Sequence, residues 1–282
     1  MTTQRIGILG NDTIQNAGLA DACRNEPAID LVALESANQV PADLDAVIVN
    51  VAQADRESVV STIAKTTDAR ILATMPVGCT RDECGSLIEQ IGTERVASLN
   101  PLMFDPSITR ITSQFADDSD LVRTMFTTWR RKAGHPWRQD LAQLLDLARI
   151  ITDGEPTRIS PLPHQSLAML LALIRYENGA VLSLEVGELL PDSSPNEVEL
   201  LIECFGQETA FQFSPGRQAL TLDGASTSRI AWSANPYVPM LTTFLDWVRS
   251  GGSPSRGLAD DLAVLAICDA CLDQVAVQKG NR

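Results

Sequence analysis

Histidine is nearly missing from this chain: among 282 residues only His135 and His164 carry an imidazole. That scarcity bears on metal binding and on acid–base chemistry alike. Cys268-Asp-Ala-Cys271 is a CxxC, but no second CxxC or His pair can complete a zinc site, so no metal site is expected. The i, i+3 spacing inside an apolar helical run puts both thiols on one helix face, where free cysteine packs as a small hydrophobe. Without an export signal, the six cysteines read as reduced thiols. Long apolar runs are missing too: none approaches the ~20 residues that span a bilayer, so no membrane role is expected. MTTQRIGILG has neither a basic n-region with an apolar stretch behind it nor a cleavage site, which makes the cytoplasm the expected compartment. Cations are outnumbered, 22 Lys and Arg against 36 Asp and Glu, and a net charge of −14 repels phosphate backbones. The short cluster Arg130-Arg131-Lys132 reads as a solvated strand end, and nucleic acid is not an expected partner.

What is present is the composition of an ordinary globular protein, 44% hydrophobic and 21% charged. The length suits two domains. RIGILG is a short apolar strand ending in Gly10, followed by a helical stretch through Ala22-Cys23 and a strand from Asp30 to Glu35. A strand over 45–51, a helix over 56–65 and a strand over 70–73 continue the alternation. Apolar strands alternating with helices predict a parallel sheet covered on both faces, a doubly wound α/β domain. After Val96-Ala-Ser-Leu-Asn100 strands begin to follow one another. The spacing predicts a strand over 121–129 and a helix over 141–151 closed by Asp153-Gly154. Two strands, 167–176 and 180–186, flank Glu177-Asn178-Gly179, a strong hairpin signal. Further strands are expected over 197–205, 209–213 and 218–222, and helices over 239–248 and 258–277. This half reads as α+β with a large, open, mostly antiparallel sheet. The expected boundary gives domains 1–115 and 116–282, the last helix packing back.

That order resembles the Gfo/Idh/MocA family of two-domain NAD(P)-dependent sugar oxidoreductases, over essentially the whole chain. RIGILGND stands where the family has its strand and glycine turn, and DAVIVNVA at its fourth strand. RILATMPVGCTRDECGSLI matches the segment that carries Glu-Lys-Pro and a helix. LLDLARIITDGEPTRI and LIRYENGAVLSLE look like the helix–turn–strand and central hairpin of the second domain. FLDWVRSGGSPSRGLADDLAVLAICDACLDQ matches the terminal helix pair. The resemblance implies a Rossmann-type domain, NAD or NADP as cofactor, a small-molecule ligand in an interdomain cleft, and a homo-oligomer or related subunit on the second sheet.

The residues that would carry this chemistry are mostly replaced. A dinucleotide fold uses GxGxxG for a tight turn, close backbone approach to the pyrophosphate and helix–strand packing. The corresponding run is Gly10-Asn11-Asp12-Thr13-Ile14-Gln15, in which only the first glycine survives and Asp12 adds a carboxylate beside an anion site. Glu35 stands at a strand end, either as acceptor for the ribose hydroxyls or as a solvated charge. Cofactor contacts are therefore expected at Gly10, Asn11, Glu35 and Pro76. The family's Glu-Lys-Pro reads Thr74-Met75-Pro76, and methionine neither donates a proton nor holds a charge. The family's Asp and His, one helical turn apart, fall on Gln139 and Gln143, amides that are no general acid or base near neutral pH. A one-residue slip brings in Asp140, and His135 lies just before the helix; these two are the candidate substitutes. The usual Pro and His after the fourth strand read Ala52 and Arg56, and a cationic position before Phe104-Asp105-Pro106 reads Met103. The combined losses predict a catalytically impaired homologue serving as a ligand-binding or accessory subunit. The alternative is a divergent NAD(P)-dependent oxidoreductase acting on a sugar or cyclic polyol.

Overall fold

The computed structural model of the chain describes residues 3–10, 18–115, 122–134, 137–162, 168–207, 209–214, 219–223, 226–230 and 235–280. In chain order the first elements are β1 (Gln4–Leu9), α1 (Leu19–Asn25), β2 (Ile29–Leu34), β3 (Ala46–Val49), α2 (Gln53–Thr66), β4 (Arg70–Thr74), α3 (Arg81–Ile91) and β5 (Val96–Leu99). A single 3-10 turn, Pro101–Phe104, leads to α4 (Pro106–Phe115), β6 (Thr124–Arg131), α5 (Trp137–Thr152), β7 (Pro156–Leu162), β8 (Met169–Tyr176) and β9 (Val181–Glu188). The chain finishes with β10 (Val198–Phe205), β11 (Thr209–Phe213), β12 (Ala219–Asp223), β13 (Ser226–Ile230), α6 (Tyr237–Ser250) and α7 (Leu258–Gly280). Two compact units result: residues 1–104 with 235–265, and residues 105–234 with 266–282. This division differs from the expected one, with its boundary at 115 and residues 235–265 in the second half. In the structure α4 groups with the second unit and α6 with the first.

The first unit carries a five-stranded parallel sheet in the order β2-β1-β3-β4-β5. Its central strands are apolar through their middles because both faces are covered, with polar side chains such as Arg5, Arg70 and Thr74 at the strand ends. Ile6, Ile8, Ile48 and Leu72 pack with α1 and α6 on one side. Val47, Val49, Ile71 and Ala73 pack with α2, α3 and the start of α7 on the other. The segment matched to the family's fourth strand is thus third in this chain, and it lies directly beside β1. Arg70 fastens α6 to β4: its guanidinium donates to the carbonyls of Trp247 (2.6 Å) and Val248 (2.8 Å) and stacks over the Trp247 ring. α3 opens on a capping box in which Thr80 Oγ1 accepts from the Glu83 N–H and the Glu83 carboxylate accepts from the Thr80 N–H.

The second unit holds an eight-stranded sheet, β13-β12-β11-β10-β6-β9-β8-β7. Every neighbouring pair is antiparallel except β6 with β9. The hairpin expected at Asn178-Gly179 joins β8 to β9, with Gly179 at φ 88°, a conformation glycine adopts without a Cβ penalty. One face of the sheet packs on α5. The other presents Phe126, Leu173 and Phe205, each about two-fifths exposed, with the Phe126 and Phe205 rings edge to face at 5.9 Å. α5 begins four residues before the expected Leu141, because its first turn buries polar rather than apolar side chains. No helix among the described residues is long and apolar enough to cross a membrane.

Candidate functional site

In an open parallel sheet, ligands seat beyond the carboxyl ends of the strands at the point where strand order reverses. Here that point lies between β1 and β3, since α1 leads outward to β2 and the chain then returns to β3 on the other side of β1. A cavity of about 770 Å³ opens there, its floor built from Leu9, Gly10, Ala33 and Val51 and its rim from Glu35. Gly10 follows β1 at φ 96°, and a Cβ on it would stand 2.3 Å from the Asn50 carbonyl oxygen. The glycine is therefore required by the close approach of the β1 and β3 ends, whatever binds beyond them. Glu35 is exposed and follows β2 directly. A second cavity, about 550 Å³, lies on the open face of the second sheet along the Arg130–Glu185 ion pair. It has no glycine turn or strand-end crevice.

The turn after β4 is the most constrained part of the first unit. Met75 is fully buried, its N–H bonds to the Leu99 carbonyl at 3.0 Å, and the Met75–Pro76 peptide is cis. Arg56, from α2, is completely buried. Its Nη1 donates to the carbonyls of Thr74 (2.7 Å) and Pro76 (2.8 Å), and Nη2 to that of Val51 (3.3 Å). From the opposite side Asp261, on α7 and also fully buried, accepts from the Val77 N–H at 2.7 Å. Ser98 Oγ lies 2.7 and 2.8 Å from the two Asp261 oxygens. Burial lowers the Arg56 guanidinium to about 10, so it stays charged at neutral pH. Burial raises the Asp261 carboxyl to about 7, against the pull of the Val77 N–H, Ser98 and Arg56. Thr74 Oγ1 is buried with no hydrogen-bond partner among the described residues.

Gln139, Asp140 and Gln143 all lie on α5 in the second unit and all are buried. Asp140 forms a two-pronged ion pair with Arg131, whose Nη2 stands 2.8 Å from Oδ1 and whose Nε bonds Oδ2. Arg131 also stacks over Trp129. This corrects the reading of 130–132 as a solvated strand end, since Arg131 is buried, Arg130 pairs with Glu185 and Lys132 with Glu197. The Asp140 carboxylate is thus engaged by the Arg131 guanidinium. Asp105 bonds the Ser107 N–H at 2.8 Å at the head of α4, and burial raises its carboxyl. Asn11, Asp12, His135 and His164 lie outside the described residues. Cys268 and Cys271 are buried on α7, and burial raises the Cys271 thiol to about 12, which leaves no thiolate at neutral pH.

Sequence reasoning treated Arg56 only as a departure from a family pattern and did not single out Asp261. A signal existed for both. Gln53, Arg56, Val60 and Ile63 form one helical stripe, as do Leu258, Asp261, Val264 and Cys268, and all eight are buried. A charge on the apolar stripe of a helix demands a partner.

No protein-family model matches the chain, and no curated protein matches it significantly. Solved structures do match. A myo-inositol dehydrogenase from Corynebacterium glutamicum superposes with a TM-score of 0.79 at 16% identity, covering 98% of this chain and 97% of the other. An oxidoreductase from Agrobacterium radiobacter in complex with NAD+, L-tartaric acid and magnesium gives 0.77 at 13%, covering 98% and 97%. UDP-N-acetylglucosamine 3-dehydrogenase GnnA from Acidithiobacillus ferrooxidans gives 0.76 at 14%, covering 96% and 97%. The chain has the Gfo/Idh/MocA fold. The β4 turn of this chain reads Thr74-Met75-Pro76, with a cis Met75–Pro76 peptide.

Proposed function

We propose that this protein is a divergent nicotinamide-dinucleotide-dependent oxidoreductase acting on a sugar or cyclic polyol. The observation that carries the reading is the cavity at the β1–β3 reversal, with an apolar floor and the Glu35 carboxylate on its rim. That residue set fits the adenosine end of a dinucleotide: Leu9, Ala33 and Val51 offer apolar surface to a base, and Glu35 can accept from ribose hydroxyls. A carboxylate there disfavours a 2′-phosphate, so NAD is preferred over NADP. When bound, the nicotinamide supplies the hydride acceptor or donor. The chain's own part is to hold the dinucleotide at the ends of β1 and β3 and to receive a proton from the substrate hydroxyl. Gln139 and Gln143 can orient hydroxyls but cannot take that proton. With Asp140 committed to Arg131, His135 is the residue assigned to it.

A second reading is favoured by Met75: an apolar, fully buried side chain at the family's lysine position suits a ligand-binding or accessory subunit. One experiment separates the two. Calorimetric titration with NADH and with NADPH, followed by turnover over a polyol panel, is expected to show NADH binding and oxidation of at least one polyol. Binding without turnover supports the second reading, and binding of neither nucleotide overturns the first. The open sheet face with Phe126, Leu173 and Phe205 is assigned to a second copy or a related subunit.

A further inference from the structure

We infer that Arg56 and Asp261 are positioning residues that together clamp the Thr74–Val77 turn, and that the charge on Asp261 sets how firmly the turn is held. The geometry supports this from two sides. Arg56 takes the carbonyls at 74 and 76 and reaches Val51, in the floor of the candidate cofactor cavity, so one guanidinium couples that floor to the turn. Asp261 takes the first N–H after those carbonyls, at Val77. All of Arg56's hydrogen bonds go to neutral carbonyls, so the balancing negative charge for a wholly buried cation comes from Asp261 across the turn.

Protonation of Asp261 removes that charge while Arg56 remains positive. Burial costs the lone carboxylate more than Arg56, Ser98 and the Val77 N–H return, which is why the carboxyl is raised to about 7, so the protonated form holds the turn more firmly and ionisation loosens it. The groups facing Asp261 are Arg56 from α2, Cys84 from α3 and Asp260 on its own helix. Those facing Arg56 are Asp261, Cys79 and Tyr237. Cys84 is raised to about 12 and Arg56 lowered only to about 10, so of these Asp261 is the one placed to change charge near neutrality. The consequence for binding rests on the dinucleotide reading above; the clamp itself does not.

The test uses the full chain and three variants, Arg56→Gln, Arg56→Lys and Asp261→Asn. Amide exchange without any nucleotide is expected to quicken about tenfold across 74–79 in Arg56→Gln, the size of one lost buried hydrogen-bonded contact, with β1 and β2 amides unchanged. Arg56→Lys keeps the charge and is expected to recover part of the protection. In wild type the same segment exchanges faster at pH 8 than at pH 6 after correction for intrinsic exchange, whereas Asp261→Asn shows no such change. NADH affinity is expected to follow the same pH pattern. Exchange that quickens uniformly through the first unit, or an Asp261→Asn segment with the wild-type pH dependence, overturns the clamp. If exchange behaves as expected while wild type binds neither nucleotide at any pH, the clamp stands and the cofactor reading falls. Should Arg56→Gln fail to fold, Arg56→Lys and Asp261→Asn decide the matter.

Discussion

Replacing Asp261 with asparagine should change how stability depends on pH, and the sign follows from burial. In the unfolded chain the carboxyl titrates near 3.8, and in the folded protein near 7. Between those values the folded state keeps a proton that the unfolded state has released, so stability falls as pH rises through the window and levels off above it. At 1.36 kcal/mol per pH unit, the full difference is roughly 4 kcal/mol, of which about 3 kcal/mol is lost between pH 5 and pH 8. Asparagine can accept from the Val77 N–H and donate to Ser98 Oγ, so it preserves the local bonding without the titration. The assay is native-state hydrogen exchange of β3 and β4 amides, which reads the opening free energy of the first unit alone. Wild type minus variant should differ between pH 5 and pH 8 by about 3 kcal/mol. An Asp261→Asn protein with the wild-type slope would refute the assignment of that proton to Asp261.

Asp140→Asn should lower the melting temperature by about 10 °C, since removing one partner of a buried pair costs roughly 3–5 kcal/mol and each kcal/mol moves a chain of this size by about 2–4 °C. If instead stability holds and only turnover disappears, Asp140 is an acid–base group after all. Glu35→Ala should weaken NADH binding by about tenfold and narrow the gap to NADPH, a loss of one charge-assisted hydrogen bond read by calorimetry. Light scattering at micromolar concentration should give the mass of at least two chains, and Phe126→Glu with Leu173→Glu should halve it. A wild-type monomer removes the assignment of the open sheet face to a partner.

The parallel sheet was legible in the sequence because strands covered on both faces are apolar through their middles, and RIGIL, AVIV and RILAT show such apolar runs without reference to anything distant. The β8–β9 hairpin was legible because Asn-Gly fixes its own turn. What the sequence could not decide was where buried charges find their partners. Asp261 meets the Val77 N–H from 184 residues away, and Ser98 from 163. Arg131 and Asp140 are near in sequence, yet a strand-end cluster and a helix start did not announce themselves as an ion pair, because the strand length that buries Arg131 is set by pairing with β9 and β10. Local periodicity specifies which face of an element is apolar. Which distant element supplies the counter-charge, and so which group titrates near neutral pH, is settled only when the sheet, α2 and α7 are packed together.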